Sequence, residues 1–224
     1  MEFSLLDNGH DSLKKAKFSI EKYEELIKEH SYPYFKDAII FLNHGIEILF
    51  KYMLSQRNES LIFSDVQIYL AAKKELKKMP KGKTGFGFLV DKDLTVFDVP
   101  PKKINDKKLK TITIIEALDR IEYFCDIEIK KEFRSAVFTV NRYRNDLTHH
   151  SINLTSEEET KAVKTIKVLF DIVLDFFEEH IPGTMVTIDA EKFEITSQEW
   201  EEMQREMEDF YQERGMSDLG YDDV

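Results

Sequence analysis

Apolar residues recur at helical spacing through most of this chain, and that rhythm predicts its elements. Within residues 11–30, Leu13, Phe18, Ile20, Tyr23, Leu26 and Ile27 stand among charges and read as an amphipathic helix. Pro33 suits the first turn of a second helix, where a missing N–H is tolerated. From there Phe35, Ala38, Ile39, Leu42, Ile46, Leu49 and Met53 form one broad face. A helix apolar nearly all round belongs at the centre of a fold. Residues 113–124 and 131–147 predict a third and a fourth bundle helix. Thr155 and Ser156 each have a glutamate three positions on, Glu158 and Glu159, which is the capping-box spacing. The helix they open runs through Ala162, Ile166, Leu169, Val173 and Phe177 to about His180.

Residues 57–110 break the rhythm. A short helix over 64–78 gives way to two β-prone runs, 86–90 and 94–99, about the polar turn Asp91-Lys92-Asp93, with Pro100-Pro101 closing them. That arrangement predicts a β-hairpin. Residues 185–195 read as another short hairpin, and Thr196 with Glu199 caps a last, acidic helix to about Arg214. The expected fold is therefore all-α. It is an antiparallel bundle of four to five main helices over residues 1–182, with 57–110 as an insertion carrying a β-hairpin and 183–224 as an acidic helical extension.

Charge adds polarity to this picture. The 224 residues carry a net charge of −11. Residues 191–224 hold twelve acids and three bases, whereas 73–110 holds twelve lysines and five acids. An asymmetry of this kind marks either a polyanion-binding surface, here formed by Lys73, Lys74, Lys77, Lys78, Lys81, Lys83, Lys102 and Lys103, or ordinary solvated lysines. The acidic helix either competes with a polyanion for the same lysines or docks on the bundle through Trp200, Met203, Met207 and Phe210 as ordinary structure. Cys125 stands alone, which excludes an internal disulfide and agrees with a reducing cytoplasm. The N-terminus lacks a basic, signal-like start, and no apolar stretch reads as long enough to span a bilayer. A cytoplasmic protein with no membrane association is expected.

The candidate chemistry lies in Arg142-Tyr143-Arg144-Asn145-Asp146-Leu147-Thr148-His149-His150. Arg144 supplies a fixed cation, and His149 a group that titrates near neutrality. Both are parts of a metal-free route to phosphodiester cleavage. Such a spacing arises easily among seven arginines and six histidines, so its setting must carry the argument. Phe133, Val137, Val140 and Leu147 form the apolar stripe of the fourth helix, with Arg144 about 40° from Val140 at its edge. An arginine near a core needs a carboxylate, such as Glu47 or Asp146, or an anionic ligand. His149 lies about 140° round the axis from Arg144. Either the helix bends or ends near Asp146, or a second subunit completes the site. Asn43, Glu47 and Lys51 form a polar line on the second helix. It is either a solvent strip with a Glu47–Lys51 pair or a set of orienting groups for Arg144.

These residues resemble the HEPN superfamily, whose hallmark is a helical bundle with Arg, a polar residue, a short gap and His. Here the motif reads Arg144-Asn145-Asp146-Leu147-Thr148-His149, and Leu42-Asn43-His44-Gly45-Ile46-Glu47 matches the style of that family's second helix. The resemblance covers about residues 10–181 without the insertion. It implies a metal-independent endoribonuclease of a prokaryotic toxin–antitoxin or abortive-infection system, working as a homodimer, with RNA as substrate and an antitoxin or defence protein as a further partner. It assigns Arg144 to the scissile phosphate, His149 to general acid–base work and Asn145 to orienting either of them. Glu47, Asn43, Asp146 and His150 are supporting. Some members carry a tyrosine two residues after the histidine as a modification site; here that position is Ser151. The competing expectation is a non-catalytic module that binds RNA or protein.

No cofactor is expected. Gly82-Lys83-Thr84 lacks the first glycine of a phosphate loop, and the histidines and Cys125 show no zinc spacing.

Overall fold

The computed structural model describes residues 4–26, 28–79, 94–104, 106–149, 155–189, 191–193, 201 and 205, with the backbone alone at 28–30, 149 and 156–158. The described residues form helices and 3-10 turns and no strand, so the all-α expectation holds. The helices are α1 (Leu5–Glu25), α2 (Lys28–Arg57), α3 (Val66–Leu76), α4 (Ile114–Cys125), α5 (Lys131–His149), α6 (Ser156–His180) and α7 (Thr184–Ile188). The chain divides into two compact units. One, the lysine unit, comprises Met1–Asp7 and Glu47–Ile129; the other, the motif unit, comprises Asn8–Ile46 and Lys130–Val224.

In the motif unit, side-chain pairings fix the directions of four helices. Gly45 meets Leu13 while Phe35 meets Tyr23, so α1 and α2 run antiparallel. Phe133 near the start of α5 stacks on Phe176 near the end of α6, with centroids 4.0 Å apart, so these two are antiparallel as well. Tyr23 donates to Glu159, and Lys17 lies 5.9 Å from the Phe170 ring, so α1 also runs against α6. The core between them holds Leu13, Ile20, Ile39, Leu42, Val137, Ile166, Leu169 and Phe177, all almost fully buried. Gly45 is what lets α1 approach: a Cβ there would lie 2.7 Å from Leu13 Cδ2 and 3.2 Å from its backbone nitrogen. Gly45→Ala is expected to destabilise the protein by about 1–3 kcal/mol through overpacking, despite the better helix propensity of alanine. A denaturant titration measures it.

In the lysine unit α3 packs against three 3-10 turns, Glu59–Ile62, Val96–Asp98 and Pro101–Ile104, and Leu49, Phe50 and Leu54 of α2 are fully buried. Arg120 Nη1 donates to the carbonyls of Leu61 (2.7 Å) and Phe63 (2.9 Å), tying α4 to the segment before α3. Asp65 caps α3 through the N–H groups of Gln67 and Ile68. Thr113 and Glu116 form a capping box that starts α4, and Asp126 in the left-handed region ends it.

Several expectations are corrected here. Pro33 lies inside α2, not at its start, and gives up one hydrogen bond near the helix end where few are made. Residues 94–99 are not a strand. Thr95 donates from its N–H and hydroxyl to Asp98, and Val96–Asp98 is a 3-10 turn. Val96 and Val99 are buried while Phe97 is exposed, an i, i+3 pattern rather than alternation. The other arm, 86–90, lies outside the described residues. The second hairpin gives way to α7, capped when Glu178 accepts from the N–H groups of Gly183 (3.0 Å) and Met185 (2.7 Å). Of the acidic helix, only Glu201 and Arg205 are described, and both are helical. By length and hydropathy, Ser31–Arg57 would pass as a membrane span, contrary to expectation; its apolar residues Leu42, Ile46, Leu49 and Phe50 are buried within the protein.

A carboxylate on α6 gives a pH prediction. Asp171 accepts from the N–H of Phe193 at 3.0 and 3.1 Å, and burial raises its pKa although that bond opposes the shift. A folded-state value above the unfolded one contributes stability at low pH that is lost as pH rises through the folded value. Asp171→Asn keeps an acceptor for Phe193 and removes the buried charge. The thermal midpoint of the variant is expected to exceed that of the wild type at neutral pH, and the gain to vanish below the ordinary aspartate value of about 3.9.

Candidate functional site

The buried face of α5 ends at Val140, and residues 141–147 are all half-buried, Leu147 included. The stripe expected to reach Leu147 therefore stops about two turns earlier, and Arg144 lies on a stretch of helix beyond the core. Helix α5 nonetheless continues to His149 with no break near Asp146, the first of the two alternatives that the spacing left open. Thr148 Oγ folds back on the helix and donates to the carbonyls of Arg144 (2.9 Å) and Asn145 (3.2 Å). With the helix unbroken, positions 144 and 149 stay about 140° apart around its axis.

Arg144 Nη1 donates to Asn145 Oδ1 at 2.9 Å. Arginine has only donors, so this bond fixes the amide with its oxygen toward Arg144 and its NH2 outward. Among the described residues no carboxylate pairs with Arg144, neither Asp146 beside it nor any other. The guanidinium keeps four further N–H groups and Asn145 two. That is a set of donors lacking an acceptor, which suits an anion with several oxygens. The C-terminal end of a helix carries partial negative charge, so attraction for an anion at this end has to come from side chains. Beside the pair, the Arg142 guanidinium lies 5.2 Å from the Tyr143 ring centroid.

The supporting residues separate. Asn43 on α2 donates to Asn141 Oδ1 on α5 at 3.4 Å, a long hydrogen bond that puts α2 one turn before Arg144. Asn141 was missed by sequence reasoning; its place three residues before Arg144, on the neighbouring turn, is the signal that could have found it. Glu47 belongs to the lysine unit, where its carboxylate accepts from buried Lys51 at 2.5 Å, and Lys51 also donates to Thr111 at 3.0 Å. This is the pair expected on the solvent-strip reading, with its cation buried. Asp146 is half-buried on α5. His150, Lys81 and Lys83 lie outside the described residues.

The α5 C-terminus shares its end of the motif unit with the α1 C-terminus and the α6 N-terminus. A groove of about 390 Å³ opens there between α1 and α6, lined by Tyr23, Glu24, Thr160, Lys164, Lys167 and Phe193. Glu24 already pairs with Lys167 at 2.8 Å, and buried Glu159 takes the Tyr23 hydroxyl. The capping role expected of Glu159 is thus replaced by a tertiary bond. Burial, and after it this same bond, raises the Tyr23 pKa. No group of three or more His, Cys, Asp or Glu among the described residues is placed to hold a metal ion.

No protein-family model, no curated protein and no solved structure matches this chain.

Proposed function

We propose that this protein is a metal-independent endoribonuclease of a prokaryotic toxin–antitoxin or abortive-infection system, acting in the cytoplasm as a homodimer. One observation carries the reading. Arg144 and Asn145 present hydrogen-bond donors with no carboxylate among the described residues to satisfy them, five residues before a histidine that ends the same helix. A phosphodiester supplies the missing acceptors. In the proposed reaction Arg144 holds the non-bridging oxygens and stabilises the charge that builds on them. His149 takes the proton of the adjacent 2′-hydroxyl, whose oxygen bonds to phosphorus as the bond to the 5′-oxygen breaks. The 5′-oxygen leaves with a proton from an imidazolium or from water, and a 2′,3′-cyclic phosphate remains. The resemblance of the motif to HEPN proteins supports the same reading.

Incubating the purified chain with total RNA in EDTA, followed by analysis of the product ends, tests it. Cyclic phosphate and 5′-hydroxyl ends are expected, and intact RNA would overturn the proposal. A second reading, a non-catalytic RNA-binding module, is favoured by the exposed lysines of the lysine unit and predicts binding without cleavage.

A further inference from the structure

The strongest unassigned feature is a basic face built by three separate stretches of the lysine unit. Across the described parts of residues 73–110 there are nine lysines and three acids. Lys73 and Lys74 lie in the last turn of α3, and Lys77 and Lys78 in the turn that follows it. The 3-10 turn Pro101–Ile104 packs against α3 and brings Lys102 and Lys103 beside it. Lys78 pairs with Glu75 at 2.5 Å, and the charge of Lys103 also acts on that carboxylate. Lys73 is held by Glu59 and by the Tyr69 hydroxyl. Lys74, Lys77, Lys102 and Lys103 are exposed and make no ion pair among the described residues. Asp98 is occupied by Thr95.

An aromatic ring belongs to the same construction. Tyr69 stacks on Phe63 with centroids 4.6 Å apart, and Phe63 meets Phe97 at 5.6 Å. The first two rings are buried and the third is 58% exposed. Phe97 is therefore the open end of a stack, held firmly from beneath. Turn Val96–Asp98 packs on α3, so the ring is carried by the same small assembly as the lysines.

We infer that this face of the lysine unit binds single-stranded RNA, with Lys74, Lys77, Lys102 and Lys103 on the phosphates and a base stacked on Phe97. Cations on two backbone stretches follow a flexible polyanion, and one rigid ring on a third matches the face of one base. An anionic membrane is the alternative that the vesicle arm of the test separates, since Val66, Leu70, Tyr123 and Phe124 of the same unit are exposed as well. The choice of RNA among polyanions rests on the ribonuclease reading above. Binding at this face, however, does not need Arg144.

The test uses the full chain and a fluorescein-labelled 12-nucleotide 2′-O-methyl uridine oligomer, which cannot be cleaved by 2′-oxygen attack. Anisotropy measures affinity across a salt series. The combined Lys74→Glu, Lys77→Glu, Lys103→Glu variant is expected to weaken binding by at least about tenfold and to flatten the salt slope by about 0.7 for each phosphate no longer neutralised. Phe97→Ala is expected to weaken it by about 5- to 100-fold at unchanged slope, with Phe97→Trp restoring it. Unchanged binding by the triple-lysine variant or by Phe97→Ala would overturn the inference. So would capture by phosphatidylserine vesicles of a chain that ignores the oligomer. Lys102→Gln with Lys103→Gln, milder than charge reversal, should give a smaller loss in the same direction and guards against a folding defect. A chain that binds the oligomer at this face yet leaves total RNA intact would sink the nuclease reading alone.

Discussion

Replacing His149 with alanine is expected to lower EDTA-resistant RNA cleavage by about 10²- to 10⁴-fold, the range for loss of a general acid–base group. Arg144→Ala is expected to cost about 10²- to 10³-fold, as when a donor to a developing oxyanion is removed. The two should differ in another readout. In the proposed reaction Arg144 would touch the phosphate in ground and transition states, so its loss should weaken substrate binding as well as turnover. His149 would act on the proton in flight, so its loss should appear in turnover with binding nearly unchanged. Arg144→Lys keeps the charge but not the fork of N–H groups that meets both phosphate oxygens and Asn145, and should recover only part of the rate. Thermal melting of each variant separates chemistry from unfolding. A His149→Ala protein that cuts at the wild-type rate would remove His149 from the mechanism.

How much of this was legible in the sequence depended on how local each cause is. Helix α4 could be placed because Thr113 and Glu116 cap it within four residues, and no distant partner competes. The same spacing misled at Glu159, where burial against Tyr23 offers the carboxylate a better partner than its own helix start. At residues 94–99 a short apolar run was ambiguous between periods of two and three. The Thr95–Asp98 bonds decided it, and an expected strand became a turn that lifts Phe97 into solvent. The end of the α5 core was not legible at all. Leu147 keeps the helical period of Phe133, Val137 and Val140, but nothing in its spacing says that the rest of the core stops at Val140. The candidate site was legible as residues, Arg144 and Asn145, and not as geometry. The pairing of Asn43 with Asn141 joins positions 98 apart, beyond any local rule.

The unbroken course of α5 raises a question that mixing two inactive variants answers. With positions 144 and 149 about 140° apart on one helix, a single copy does not present both to one phosphate on one face of the helix. Residues 141–147, half-buried and outside the core, offer a surface for a second copy, which would bring its own α5 alongside. In a two-fold dimer each site would then take Arg144 from one copy and His149 from the other. Arg144→Ala and His149→Ala chains, each inactive alone, are expected to regain cleavage when unfolded together and refolded. Half of the dimers formed at equal concentrations are mixed, and each holds one intact site, so about one quarter of wild-type activity should return. If Arg144 and His149 of one chain serve the same phosphate, no dimer in the mixture holds a working site, and activity stays at the level of the separate variants. Recovery near one quarter, with sedimentation at twice the 26.4 kDa chain mass, would establish the shared site. No recovery from a mixture shown to contain mixed dimers would rule it out.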